Sequence, residues 1–424
     1  MTNPTFRGIS GTKGNNITFL SRSIKPLTSP LNRNIMNVQQ RKSLVTNKFV
    51  KAFGKTPTIW VQAPGRVDLM GSHTDYNEGY VLTEAIDRNT WIAARPRGDG
   101  RVQVCSVNAP GCSEFELIDI TYDEVIPWTN YVRGVADIMQ QEGYVLRGFD
   151  GLIHSTIPFG SGLSSSAALE VSTATLFVAL SDMKIDPVII AKMTQRAENE
   201  FVGMNCGILD QYSSAMGKRG NVLLLDCRTI THETRPIAPG VQVMICDTRA
   251  ERALTGSEYP ERRAQCEQGA QILSGFYPEI KTLRDATLDQ VQTHKADLEP
   301  VVYKRCHFIV EENQRVLDIA EALAVGDHKE SGRLMNESFA GARDLYEIVS
   351  KEMIAMQEAV MSAPGTLGTR GAGAGFGGCM VALVEEDKVD GFADHVSEQY
   401  QVNTSIEPQV YPGVAADGAG VLEI

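Results

Sequence analysis

Three segments of this chain bring together residue types that can act on a phosphorylated or hydroxylated ligand. The first, Pro158-Phe159-Gly160-Ser161-Gly162-Leu163-Ser164-Ser165-Ser166-Ala167-Ala168, follows a strand-like run and leads into an apolar helix. Gly160 and Gly162 allow close backbone approach to an anion, consecutive N–H groups can point inward, and the helix start adds the positive end of its dipole. The serines supply hydroxyl donors or a metal ligand. The lysine of a GxxxxGK[ST] loop is missing, so the segment by itself reads equally as another kind of phosphate cradle or as a simple turn. The second, Gly371 to Gly378, holds five glycines in eight residues against a following strand. It suits a ligand-facing loop better than a flexible hairpin connection. The third, Ala63 to Asn77, crowds Arg66, His73 and Asp75 among Gly, Pro and apolar residues. Taken together they suggest a binding loop for a polyhydroxylated ligand.

The elements that must position these segments alternate strands with helices from about residue 41 onward, which indicates an α/β or α+β protein. Runs at 58–62, 101–107, 151–157, 221–226, 242–246 and 379–384 are apolar or β-branched and read as strands. One helix start is well marked: Asp186 can cap the orphan N–H groups, and Pro187 sits at the first helical position. That helix is expected to carry residues 191–201, Glu198 included. Turn formers and two prolines over 229–240 predict a domain boundary there.

Composition limits the function classes. The chain has 424 residues, 42% of them hydrophobic and 22% charged, enough for two or three cores. No stretch reaches the roughly 20 uninterrupted apolar residues that span a bilayer. The net charge of -12 argues against a nucleic-acid surface. That charge is uneven: eleven Lys and Arg precede the first acidic residue, Asp68, leaving 29 basic against 52 acidic residues after it. Residues 1–40 are therefore read as a disordered extension, in preference to a targeting segment. The eight cysteines form no CxxC pair and are read as buried, reduced thiols of a cytoplasmic protein.

In this order and separation the three segments resemble the signature motifs of the GHMP kinases. The segment around Arg66 is similar to the galactokinase signature GRVNLIGEHTDYN, with Asp68, Met70 and Ser72 as departures. Further matches run through Trp128 to Val132, Ala197-Glu198, Cys206 to Gln211, Ser257 to Pro260 with Arg262 and Arg263, and Ala415 to Gly418. The resemblance covers about residue 45 to the end and implies an α+β fold of two GHMP kinase domains, 41–235 and 236–424, with the active site between them. It implies ATP-dependent phosphorylation of the C1 hydroxyl of galactose or a related sugar, with Mg2+. Asp210 then matches the catalytic carboxylate and Arg66 the arginine beside it. Ser166 and Glu198 match the Mg2+ ligands, Trp128 and Tyr131 positions near the adenine, and Gly160 to Ala167 the ATP phosphate loop. Ser72, His73, Asp75, Gly207 and Tyr259 match the sugar-binding positions.

Ser72 stands where the family usually has a Glu that contacts the 6-hydroxyl of galactose. Its loss would loosen galactose binding, admit a sugar without C6 such as L-arabinose, or relieve repulsion of galacturonate. Galactose is the first expectation, because water can bridge a serine to the 6-hydroxyl and the other positions are retained. A non-catalytic regulator that binds galactose and ATP is disfavoured, because Ser164 to Ala168 is uninterrupted where such relatives carry a deletion.

Overall fold

The computed structural model describes residues 36–250 and 258–424. Most of the 1–40 extension therefore lies outside the described residues, as does Ser257. Residues 38–40, expected in the extension, already belong to helix α1 (Val38–Phe53), opened by Asn37 and Gln40 in a reciprocal capping box.

The first sheet is built from β1 (Ile59–Met70), β2 (Tyr80–Pro96), β3 (Arg101–Ser106), β4 (Cys112–Glu116), β5 (Phe149–Ser155), β6 (Asn221–Asp226) and β7 (Thr231–Pro236). A second, four-stranded sheet comprises β8 (Val241–Asp247), β9 (Thr366–Gly371), β10 (Cys379–Glu385) and β11 (Gln409–Pro412), in the order β11-β8-β10-β9. The last strand, β12 (Gly420–Val421), returns to β1, so the end of the chain joins the first sheet. Pairing is antiparallel except between β3 and β5, which makes the first sheet mixed. All six strand-like runs of the sequence are strands here.

Two-residue alternation gives the first sheet its two faces. Val61, Ile92 and Ile153 join the core under α2 (Asn130–Gln141), α3 (Ser165–Leu180), α4 (Pro187–Arg196) and α5 (Leu209–Met216). Their neighbours Trp60, Trp91 and Leu152 turn to the other face and pack on Val45 and Phe49 of α1. Arg41 of α1 stacks on the Trp91 ring and bonds His154 Nδ1 at 2.8 Å, which fastens the helix.

The remaining helices are α6 (Glu258–Ser274), α7 (Leu288–Thr293), α8 (Pro300–Val325), α9 (His328–Gly341), α10 (Lys351–Ser362) and α11 (Val389–Thr404). The last two cover one face of the second sheet, with Met356, Val360, Phe392 and Val396 packed on Met380 and Ala382. A core of Leu69 and Leu82 with Ile319, Leu323 and Val381 joins the two sheets through α8. Among the described residues no helix is long and apolar enough to cross a membrane.

Two expectations are corrected. The Ala63 to Asn77 segment is not a loop throughout: β1 runs to Met70, with register shifts between Pro64 and Arg66 and between Asp68 and Met70. Its polar residues tolerate the strand because Arg66 and Asp68, two apart, share one face and pair there. The cysteines are not all thiols, because Cys105 and Cys112 are joined in a disulfide. They lie opposite each other at the loop end of the β3–β4 hairpin, so strand register brings together residues that their spacing in sequence leaves unpaired. The other six cysteines are free, Cys206 half-buried and the rest buried.

Candidate active site

Each of the three chemical segments enters the cleft from a different element. Ser164 caps α3 in the left-handed conformation (φ 57°, ψ 50°), and Gly160 and Gly162 also have positive φ, which glycine adopts freely. The α3 start is therefore open, and the buried Ser164 hydroxyl has no partner. Unbonded N–H groups at a helix start with an orphaned hydroxyl beside them form a cradle for an anion. The cradle is stitched to both other segments: Arg66 Nη1 donates to Gly162 O at 2.6 Å, and Cys379 N donates to Ser161 O at 2.9 Å.

Arg66 is the hinge of the arrangement. It is buried, and it ion-pairs through Nη2 with Asp210 Oδ1 at 2.6 Å and through Nε with Asp68 Oδ1 at 2.8 Å. Burial opposes its charge, but Asp210 and Asp68 outweigh burial and raise the guanidinium pKa above its ordinary value. Asp210 sits in the first turn of α5 with 27% of its side chain exposed, so its carboxylate is reachable from the cleft. The Ala415 to Gly418 segment supports that helix from behind: Gly418 N donates to Gly217 O, and Gly418 lies so close to Ala215 O that a Cβ would stand 2.3 Å away.

On the other side of Arg66, the turn after β1 passes through His73, held at φ 71°. Its Nε2 lies 3.0 Å from Ala374 O and its Nδ1 2.9 Å from the Tyr76 hydroxyl. A carbonyl can only accept, so Nε2–H donates and Nδ1 accepts from Tyr76, whose oxygen in turn meets the Tyr346 hydroxyl at 2.6 Å. Burial lowers the His73 pKa to about 4, which keeps the ring neutral for these roles. Tyr259 packs against His73 and Tyr76 with ring centroids 5.3 and 5.5 Å away. Asp75 follows in a short 3-10 turn, and burial followed by the nearby Asp210 pushes its carboxyl up to about 6. Ser72 is buried, and its hydroxyl donates to Asp68 Oδ2 at 3.0 Å and accepts from Arg370 Nη2 at 3.0 Å.

The helix that Asp186 caps ends at Arg196, and Glu198 lies on a π-helical turn, Ala197–Val202, instead of continuing it. Such wide turns bring a side chain out of the regular helical track, often at functional sites. Gln211 donates to Glu198 Oε2 at 2.5 Å and to Glu170 Oε2 at 3.0 Å, and Ser166 also bonds Glu198. Burial and Asp210 raise the Glu198 pKa, while burial and Glu198 raise that of Glu170. Trp128 begins the approach to α2, its indole N–H donating to Pro110 O at 3.2 Å. Burial and then Glu198 raise the pKa of the Tyr131 hydroxyl, so Tyr131 lies in the field of that carboxylate.

The Galactokinase galactose-binding signature matches residues 47–96, the GHMP kinases N terminal domain 130–218 and the GHMP kinases C terminal 319–402. A galactokinase of Chloroflexus aggregans is 42% identical over 379 residues, 89% of this chain and 97% of that protein. One of Roseiflexus is 41% identical over 373 residues, 88% of this chain and 95% of its own length. The chain belongs to the galactokinase family. Lactococcus lactis galactokinase, in a crystal structure complexed with galactose, superposes with a TM-score of 0.86 at 33% identity, over 90% of this chain and 99% of that one. A mevalonate kinase structure shares the fold at a TM-score of 0.59 and 17% identity. The expected α+β GHMP kinase fold is thus the observed one.

Several residues of this galactokinase-family cleft went unassigned in the sequence. Glu170 lies one helical turn after Ser166 on α3, a spacing that points both to the same face. Arg370 directly precedes the glycine cluster, and an arginine at that border could have been flagged. Tyr346 and Cys266, which bond at 3.1 Å, left no local signal.

Proposed function

We propose that this cleft transfers the γ-phosphate of ATP to the C1 hydroxyl of galactose, with the domains 41–235 and 236–424 meeting at it. The observation that carries this reading is the partly exposed Asp210 carboxylate, 2.6 Å from Arg66, whose guanidinium also grips Gly162 of the anion cradle. A protonated sugar hydroxyl is a poor nucleophile. Asp210 accepts or orients its proton as the bond to phosphorus forms, and Arg66 holds that carboxylate in place through their ion pair and offsets the charge that develops. Asp75 and Tyr259 read the sugar, and Gly207 leaves the room that Asp75 needs. His73, its two nitrogens already bonded, shapes the pocket by holding Ala374 and Tyr76.

Ser166 and Glu198 would hold Mg2+. Both donate oxygen, already lie in contact, and flank the cradle, which fits a hard cation that takes few protein ligands. An ion held there would supply positive charge that offsets the charge of the nucleotide's phosphates. The open N-terminus of α3 binds the phosphates, and Trp128 and Tyr131 border the adenine.

The test has two arms. ADP release is measured with galactose, L-arabinose, galacturonate, N-acetylgalactosamine and glucose, and galactose should give the highest kcat/KM. Asp210→Asn should lower kcat by at least about a hundredfold while galactose still binds. Near-normal turnover in that variant would remove Asp210 from its role, and a preference for galacturonate would change the substrate.

A further inference from the structure

Asp68 lies at the meeting point of three elements. Its carboxylate, 1% exposed, accepts from Ser72 Oγ at 3.0 Å and from Gly373 N at 2.9 Å, and faces Arg66 Nε at 2.8 Å. The Arg66 Nε–H has no hydrogen-bond partner, and neither has Asp68 Oδ1, so their contact is an ion pair out of line for a hydrogen bond. Its influence on Arg66 is therefore one of charge. The backbone carbonyl of Asp68 accepts from Arg370 Nη1 at 3.1 Å, and Arg370 Nη2 reaches both Ser72 Oγ and, at 3.3 Å, Glu312 Oε1. The carboxylate thus belongs to a buried cluster that ties β1 to the glycine loop, α8 and β9.

Asp68 and Ser72 are also two of the three positions where the chain departs from the signature it resembles. Asn and Glu there become Asp and Ser here, so the segment keeps its net charge while the carboxylate moves from 72 to 68. The two side chains touch.

We propose that Asp68 is a positioning residue for phosphoryl transfer, which acts with Ser72 as an exchanged pair that sets how much of the Arg66 charge is left for Asp210. The planar guanidinium is shared among Asp68, Gly162 and Asp210, so a carboxylate on its Nε edge sets the charge available at Nη2. This inference rests on Asp210 acting at the sugar hydroxyl.

Asp68→Asn, Ser72→Glu and the double variant test it, with kcat and KM for galactose measured across the pH range and unfolding temperatures alongside. Asp68→Asn preserves shape and removes charge. It should lower kcat about tenfold with little change in galactose KM. It should also move the acidic limb of the galactose kcat/KM profile to lower pH, because Asp75 lies in the field of Asp210, Asp68 and Arg66 and loses one neighbouring negative charge. A packing defect would not move that limb. Ser72→Glu places a second carboxylate against Asp68 and should also be damaging. The double variant restores the net charge and should recover to within about threefold of the wild type. An Asp68→Asn enzyme with normal kcat and an unmoved limb would overturn the proposal, as would a double variant no better than the product of the single ones. Asp210→Asn in the same assay separates the layers: if it stays active the catalytic reading fails, and if it alone is inactive only the role of Asp68 does.

Discussion

The Asp75 carboxylate fills the space that a side chain at residue 207 would need: a Cβ built on Gly207 would stand 1.7 Å from Asp75 Oδ2. Even one methyl group there must displace the carboxylate. Gly207→Ala should therefore raise galactose KM at least about tenfold, equivalent to about 1.4 kcal/mol, and leave KM for ATP nearly unchanged. Calorimetric titration with galactose checks it. An alanine variant with wild-type affinity would show that Asp75 does not read the sugar from this position.

Asp75 also gives the protein a pH signature. Its carboxyl is raised to about 6, first by burial and then by Asp210, so it carries a proton below that pH and is ionised above it. If the ionised form accepts the sugar hydroxyls, galactose affinity should be full above about pH 7 and weaken by up to about tenfold per unit below pH 6. Galactose Kd measured without nucleotide isolates this effect. A Kd that stays flat through pH 6 would exclude an ionised Asp75 from sugar binding.

The Glu198 and Ser166 pair predicts a metal-side defect. Glu198→Gln removes the charge of one ligand, and the apparent Mg2+ constant should rise about tenfold, with a smaller effect for Ser166→Ala. Direct titration of Mn2+ into each variant with ADP reads the same loss without turnover. Galactose binding should remain intact in both. Unaltered metal binding in the two variants would remove these residues from the ligand set.

The disulfide has a predicted effect on nucleotide use. It closes the loop between β3 and β4, whose Pro110 carbonyl holds the Trp128 indole and whose Asn108 bonds the backbone of Ser155 on both sides, at 3.0 and 2.8 Å. Opening the bridge with a dithiol, or by Cys112→Ser, frees that loop and should raise KM for ATP about threefold while galactose KM stays put. Equal KM values for ATP in the oxidised and reduced protein would show that the loop is held without the bridge.

What could be read without the structure was the information carried locally in the chain. The six strand runs, the cap at Asp186 and Pro187 and the glycine-rich turns are all short-range patterns, because side-chain periodicity and φ preference act over a few residues. The resemblance carried the family, and with it Arg66 and Asp210, which pair across 144 positions of sequence. Partner choice across such distances lay beyond local patterns. Tertiary packing turned an apparent binding loop into a bulged strand, placed Glu198 on a π turn beside Glu170, and set Cys105 opposite Cys112. It also decided that the hydroxyl of Ser72 is spent on Asp68 and Arg370 and that both nitrogens of His73 are occupied. A buried polar group must find a partner, and which one it finds depends on what the fold brings within 3 Å.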